Sequence, residues 1–490
     1  MMETLPQMLA AVTAENPGRI AIVEDETALS FGELNHRILS LAGQLQRLGI
    51  RSGDRVAVLL PNGSYFVVSY FAIAVLGAVV VSLNDQYQDV ELRRFLAETK
   101  ASLLITTRLA HDSCHRVLRS YEGSCKLLLI EDREQRSIDE ACFSDFGLVQ
   151  ADAPVMYQFS SGSTGRPKLI ARSHRNLLFE LHSLIRTFKL CAEDRFLGVT
   201  PFSHVNGLMR SMMASLASGA TLYPAARFDR HAVVEMIEKH RISIFIGVPF
   251  MFGVMAKTNY QRRSDLTSLR LCMSASAPMP TSLNRQFRDK FGMYVRQLYG
   301  SSETGTISAN LSVEIDKSLE SVGEPIAGVE VEIYSDQGEA THTNEIGEVA
   351  VKSAAAISSY ESEELDKDTF RNGYFFTGDL GRRDGNGLIY LLGRKKLFIN
   401  KGGYKINPRE VEELLESHPK IEEAVVIGVA TPFGDEKVKA LLVTNAPCSE
   451  REVVEFCRGK ISDFKIPSLI EFTNAFPKSP TGKVRRELLT

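Results

Sequence analysis

Twelve consecutive residues carry the strongest chemical signal in the chain: Tyr157-Gln158-Phe159-Ser160-Ser161-Gly162-Ser163-Thr164-Gly165-Arg166-Pro167-Lys168. Apolar residues lead into a run of hydroxyls and glycines that closes on Pro167 and Lys168. Gly162 and Gly165 let backbone N–H groups approach an anion. Ser160, Ser161, Ser163 and Thr164 can donate hydrogen bonds, and Lys168 adds a positive charge. A polyphosphate needs that combination. The string is not a Walker loop, because Pro167 precedes the lysine and no Gly-Lys-Ser/Thr follows. Nor does it open a helix: Lys168-Leu169-Ile170-Ala171-Arg172-Ser173-His174 reads as a strand, with a helix starting near 174.

The elements that must position such a loop alternate along the first half of the chain. Residues 31–50 form an amphipathic helical pattern, with Ser30 as its cap and Gly49 near its stop. Short apolar strands are expected at 55–60, 101–107 and 126–132. Residues 65–83 carry no charge over about the length of a membrane span. Gly77 and the change to valines divide the run into a buried helix (62–76) and a buried strand, and Lys and Arg do not cluster beside it. The alternation resumes with strands at 195–201, 220–225, 242–249, 269–276 and 294–301 and helices near 207–218 and 229–240. That order predicts a mostly parallel α/β architecture. From about 321 short strands separated by Gly-rich turns predict a small antiparallel sheet or barrel, with a hairpin turn at 383–387. Beyond Gly393-Arg394 comes a compact α+β unit. The organisation read from the sequence is a large N-terminal domain, 1–393, including a barrel-like part at about 321–393, and a small C-terminal domain, 394–490.

Composition narrows the functional classes. The chain has 490 residues, 57 Lys+Arg and 60 Asp+Glu, a formal net charge of −3. Nucleic-acid binders usually carry a basic excess, so no nucleic-acid partner is expected. The short basic runs at 394–396 and 483–486 are isolated in a slightly acidic chain. The seven cysteines show neither zinc spacing nor a disulfide framework, which favours a reducing, cytoplasmic compartment. No signal peptide or integral membrane segment is expected.

Four further segments follow the Ser/Gly string in order: Leu298-Tyr299-Gly300-Ser301-Ser302-Glu303-Thr304-Gly305, Phe376-Thr377-Gly378-Asp379-Leu380, Gly393-Arg394-Lys395-Lys396 and Pro480-Thr481-Gly482-Lys483. With these five segments the chain resembles the adenylate-forming superfamily of acyl- and aryl-CoA synthetases, peptide-synthetase adenylation domains and firefly-type luciferases. The resemblance spans nearly the whole chain. It implies ATP, Mg²⁺ and CoA as cofactors and a carboxylic acid as substrate. It assigns Ser160–Lys168, Tyr299, Gly300, Ser301, Thr304, Asp379 and Arg394 to the nucleotide, Tyr299 facing adenine and Asp379 the ribose hydroxyls. Glu303 would carry the metal, and Lys483 would bridge the attacking carboxylate and the phosphate. The resemblance places a hinge at Lys396, where Leu397 replaces the Asp common in relatives. Rotation of a mobile C-terminal domain would then bring Gly402 and Gly403 towards the thiol channel. The chemistry explains the demand for cations. A carboxylate and a phosphate at ~4 Å repel by about 4 kcal/mol per charge pair at an effective dielectric near 20.

Pro201-Phe202-Ser203-His204-Val205-Asn206-Gly207-Leu208 matches the segment that closes the acyl pocket in CoA ligases, with His204 at the gate. The Asp that pairs an α-amine in peptide synthetases is missing, which disfavours an amino-acid substrate. Ser274-Ala275-Ser276-Ala277-Pro278 stands where many relatives have two glycines. Ala275 and Ser276 add volume there and point to a small or medium acid. Phe202, Met209, Met213, Val248 and Met251 can line the pocket or belong to the core. The leading expectation is an acyl-CoA synthetase, with Lys483, Glu303, Thr164 and His204 as catalytic residues. One alternative is an adenylation enzyme loading the phosphopantetheine of a carrier protein in trans. Another, of a different class, is a non-catalytic nucleotide-binding protein on the same fold.

Overall fold

A computed structural model of the protein describes all residues except 1–2, 88, 109–110, 120–123, 131–148, 160–168, 263, 358–368, 402–403, 432–435, 480–483 and 490. The described residues form two compact units. The first takes the chain as far as Glu330 and regains it over Lys352–Phe370; the second holds Val331–Val351 and Arg371–Thr490. The sequence-based boundary at 393/394 falls inside the second unit.

Two sheets dominate the first unit. One runs in the order Lys126–Leu129, Leu103–Thr106, Arg55–Leu59, Val79–Leu83, Pro154–Phe159, Leu169–Ser173. Its first five strands are parallel and the last is antiparallel. The other places Thr221–Pro224, Arg195–Gly198, Ile244–Gly247, Leu271–Ser274 and Arg296–Ser301 side by side and parallel. Gly305–Ala309 and Ser321–Pro325 extend it antiparallel. The strand-helix alternation read from the sequence is what generates this arrangement, since parallel neighbours need a crossover.

Local chemistry accounts for the element ends. Ser30 and Glu33 form a reciprocal capping box on the helix Phe31–Arg47. Nearly every side chain of the helix Ser64–Val75 is buried, and the strand Val79–Leu83 is buried throughout. Gly77, with φ +68°, makes the break between them. The uncharged run is therefore core: among the described residues no helix is long and apolar enough to cross a membrane. Phe245, Phe252, Phe287 and Phe291 interlock at centroid distances of 5.4, 5.3 and 4.7 Å. Burial of each such ring is worth about 1.5–3 kcal/mol.

In the second unit Gly347–Lys352 pairs antiparallel with Tyr374–Arg383, which pairs antiparallel with Ile389–Arg394. The C-terminal part carries the helices Pro408–Glu416 and Glu450–Cys457 and the hairpin Ile421–Ala430/Glu436–Thr444. They enclose a core of Val411, Leu415, Val426, Val438, Leu442 and Val453. The tail contributes a strand not read from the sequence, Leu469–Phe472, parallel to Glu436–Thr444. It escapes pattern reading because most of it is exposed, leaving no alternation to see.

Candidate active site

The Tyr299–Gly305 segment is a tight hairpin between Arg296–Ser301 and Gly305–Ala309. Its register slips between Tyr299, opposite Ser308, and Gly300, opposite Thr306. The turn is held by its own hydroxyls. The Thr304 backbone N–H donates to Ser301 Oγ at 3.1 Å, and the two hydroxyl oxygens lie 3.0 Å apart. Tyr299 and Thr304 are buried, while Ser301 and Glu303 are half-buried. The Glu303 carbonyl accepts from the Ile357 N–H at 2.9 Å, so the segment after Lys352 braces the turn. A rigid turn bearing one half-buried carboxylate is a donor set that fits Mg²⁺. That ion binds through one or two carboxylates and completes its shell with phosphate and water. Bound there, it would neutralise phosphate charge and polarise the phosphoryl oxygens.

Beneath the turn lies a charge cluster that sequence reading missed. Arg172 Nη1 lies 2.8 Å from Glu180 Oε2, and both side chains are fully buried. Glu180 Oε1 accepts from the Thr306 N–H at 2.9 Å and from the Thr306 hydroxyl at 2.8 Å. Arg172 Nη2 donates to the Ala355 carbonyl at 3.0 Å. Arg210, 3% exposed, donates from Nε to Thr306 Oγ1 at 2.9 Å and from Nη1 to Asn206 Oδ1 at 3.2 Å. Burial alone would push the Glu180 carboxyl up; Arg172, Arg210 and the Thr306 hydroxyl outweigh it and hold the group below its ordinary value. Burial pushes Arg210 down to about 10, still charged at neutral pH. Gly305, with φ +69°, has no room for a β-carbon, which would meet the Glu180 carboxylate. The sequence signal for this cluster was available. Arg210 interrupts the apolar stretch 205–217, and Glu180 sits on the apolar face of the helix His174–Phe188.

The segment expected to close an acyl pocket starts a helix, Val205–Gly207, that widens into a single π turn over Leu208–Met213 before continuing as Ala214–Ala217. Arg210 lies in that turn. Such turns are rare and concentrate at functional sites. His204 caps the helix: its Nδ1 accepts from the Asn206 N–H at 3.2 Å, which places any ring proton on Nε2. Phe202 is fully buried, its ring edge-on to Phe66 at 5.7 Å, with its N–H on Asn62 Oδ1. Val248 and Ala275 are buried, and the Ala275 N–H donates to the Gly247 carbonyl. Ser276 has φ +71°, a conformation native to glycine. A serine thus occupies a backbone conformation that favours glycine.

In the second unit Asp379 and Arg394 are direct cross-strand partners. Arg394 Nε lies 2.8 Å from Asp379 Oδ1, and its Nη1 donates to the Thr377 carbonyl at 2.7 Å. The Asp379 N–H donates to Thr377 Oγ1 at 3.1 Å, and Gly378 takes φ +73° to make the corner. The carboxylate is thereby fixed in place with one flank held by a cation. Lys395 Nζ lies 3.0 Å from Glu348 Oε2 and 3.2 Å from Asp336 Oδ1. Lys396 belongs by its backbone to the short 3₁₀ turn Lys395–Leu397. Ser160, Ser161, Gly162, Ser163, Thr164, Gly165, Lys168, Gly402, Gly403 and Lys483 lie outside the described residues.

The first unit is thus a parallel α/β body carrying the braced Glu303–Thr304 hairpin, and the second holds the paired Asp379 and Arg394. Residues 9–361 match the family described as AMP-binding enzyme, and residues 410–483 match its C-terminal domain. The chain belongs to the AMP-binding enzyme family. It is 31% identical to a feruloyl-CoA synthase of Amycolatopsis, over 96% of this chain and 95% of that one. It is 30% identical to the long-chain-fatty-acid–CoA ligase of Bacillus subtilis, over 99% of this chain and 94% of that one. Among solved structures, the o-succinylbenzoate CoA synthetase of Bacillus subtilis in complex with its acyl-adenylate intermediate superposes with a TM-score of 0.87. Its sequence identity is 28%, over 99% of this chain and 97% of that one.

Proposed function

We propose that the protein activates a carboxylic acid with ATP to an acyl-adenylate, releasing pyrophosphate, and then transfers the acyl group to the thiol of CoA, releasing AMP. The observation that carries this reading is the Tyr299–Gly305 hairpin, self-braced and carrying Glu303 and Thr304, in a chain that aligns end to end with CoA ligases. Glu303 is the residue that would hold Mg²⁺, and Thr304 would donate to phosphate. Tyr299 gives adenine a flat, largely buried face, and the Asp379 carboxylate accepts from the ribose hydroxyls while Arg394 holds it in position. Lys483 supplies the cation between the attacking carboxylate and the α-phosphate, with Ser160–Lys168 around the remaining phosphates.

The two half-reactions use one centre in turn. We assign residues 394–490 as the part that moves between them, about Lys396, carrying Lys483 out and Gly402-Gly403 in. The described cysteines Cys114, Cys125, Cys191, Cys272, Cys448 and Cys457 are all unpaired, which suits a reducing compartment, the cytoplasm. ATP–pyrophosphate exchange across a panel of carboxylic acids tests the first half-reaction. Comparing CoA with a phosphopantetheinyl carrier protein as acceptor tests the second. Lys483→Ala is expected to lower exchange by at least ~10²–10³-fold while ATP binding, followed by calorimetry, is kept. Near-normal exchange in that variant would remove Lys483 from the mechanism.

A further inference from the structure

Arg210 has three donor positions, and two are engaged by neutral groups on either side of the candidate site: Asn206 in the pocket segment and Thr306 in the hairpin strand. The third, Nη2, is buried and has no acceptor. It lies against Gly300, where a β-carbon on that glycine would come within 2.5 Å of it. The unused donor therefore occupies the space left by the missing side chain of a residue in the nucleotide hairpin. Next to it, Asn206 Nδ2 is a second fully buried donor without an acceptor. Ser274, 1% exposed, has an unpartnered hydroxyl at the end of the strand that precedes Ala275 and Ser276.

Charge sharpens the point. The cluster holds two guanidinium groups and one carboxylate, and Glu180 is already engaged by Arg172 and Thr306. Glu180 also attracts Arg210, but one carboxylate cannot balance two guanidinium groups, so the cluster keeps a net positive charge in the protein interior. Uncompensated buried charge is costly, and a buried polar donor without an acceptor is rare. Two such donors on adjacent side chains have the chemistry of a site awaiting an anion with two acceptor oxygens.

We propose that Arg210, with Asn206, binds a second anionic group on the acid being activated, so that the substrates are short dicarboxylic acids. This rests on the activation of a carboxylic acid proposed above and names its substrate class. One carboxylate goes to the adenylate and the other remains on Arg210. Filling at Ala275 and Ser276 keeps the chain between them short.

The test is ATP–pyrophosphate exchange by the full-length enzyme with malonate and succinate against propionate, butyrate and monomethyl succinate. Expected is a kcat/KM at least ~10²-fold higher for the diacids, because the monoacids leave buried donors unpaired. Arg210→Met is expected to bring the diacid-to-monoacid ratio to about one, with Arg210→Lys retaining part of the preference. Asn206→Asp, which sets an anion beside the substrate's own, is expected to lower that ratio independently. Equal use of succinate and its half-ester by the wild type overturns the proposal without any variant. So does a parallel loss for all acids in Arg210→Met, which would make Arg210 a structural or nucleotide-binding group. Exchange with monoacids alone overturns the proposal and leaves the ligase reading standing; exchange with no acid overturns both.

Discussion

Glu180 shows how far a single residue can depart from what its type suggests. A carboxylate with no solvent exposure stays ionised because Arg172, Arg210 and the two Thr306 donors outweigh the cost of its burial. Glu180→Gln would strand two buried guanidinium groups, and a loss of about 3–5 kcal/mol is expected in urea unfolding. Replacing Arg172, Glu180 and Arg210 together by apolar residues of similar size is expected to cost less, because no unpaired charge is left. At this scale the sequence was legible where a residue sits in a motif. Glu303 and Thr304 stand in a turn braced by its own hydroxyls, and Asp379 and Arg394 face each other across two strands. It was illegible where function depends on what packs behind the motif. Arg172, Glu180 and Arg210 are 38 residues apart at the extremes, and only folding brings them together beneath Gly300 and Gly305.

Elements were read most reliably where their ends carry chemistry of their own. Ser30 and Gly77 each mark a boundary that the structure reproduces, and the structure adds Glu33 and Asp229 as capping groups. The N-terminal helix Leu5–Glu15 has a quieter anchor. His174, at the start of its own helix and 1% exposed, accepts the Leu5 N–H on Nδ1 at 3.2 Å. Burial pushes its pKa down to about 4. The folded state therefore binds that proton less readily than the unfolded chain, whose histidine titrates near 6.5. The stability this contributes is full above pH 6.5 and is lost as pH falls towards 4. The total is about 3 kcal/mol for a shift of this size. Urea midpoints measured from pH 7.5 to 4.5 should fall accordingly. His174→Gln should flatten that slope.

At the scale of the whole molecule, the strand-helix alternation and the change to short strands near 321 gave the architecture, because both follow from local periodicity. How compactness divides the chain was not legible, since it depends on contacts between segments distant in sequence. The pivot proposed at Lys396 makes a kinetic prediction: Lys396→Pro should preserve pyrophosphate exchange and lower thioester formation by at least ~10-fold, as expected when a conformational step rather than chemistry limits turnover. Equal loss in both assays would place Lys396 in the chemistry itself.

Among the described residues the backbone passes between the two compact units at 330/331, 351/352 and 370/371. Swinging the entire second unit would bend all of these tethers at once, whereas the proposed pivot at 394–397 bends one. The proposed moving part, 394–490, is smaller than the compact unit that contains it. No single cut of the gene can separate the two units as intact pieces, so expressing either alone calls for a circularly rejoined or stitched sequence.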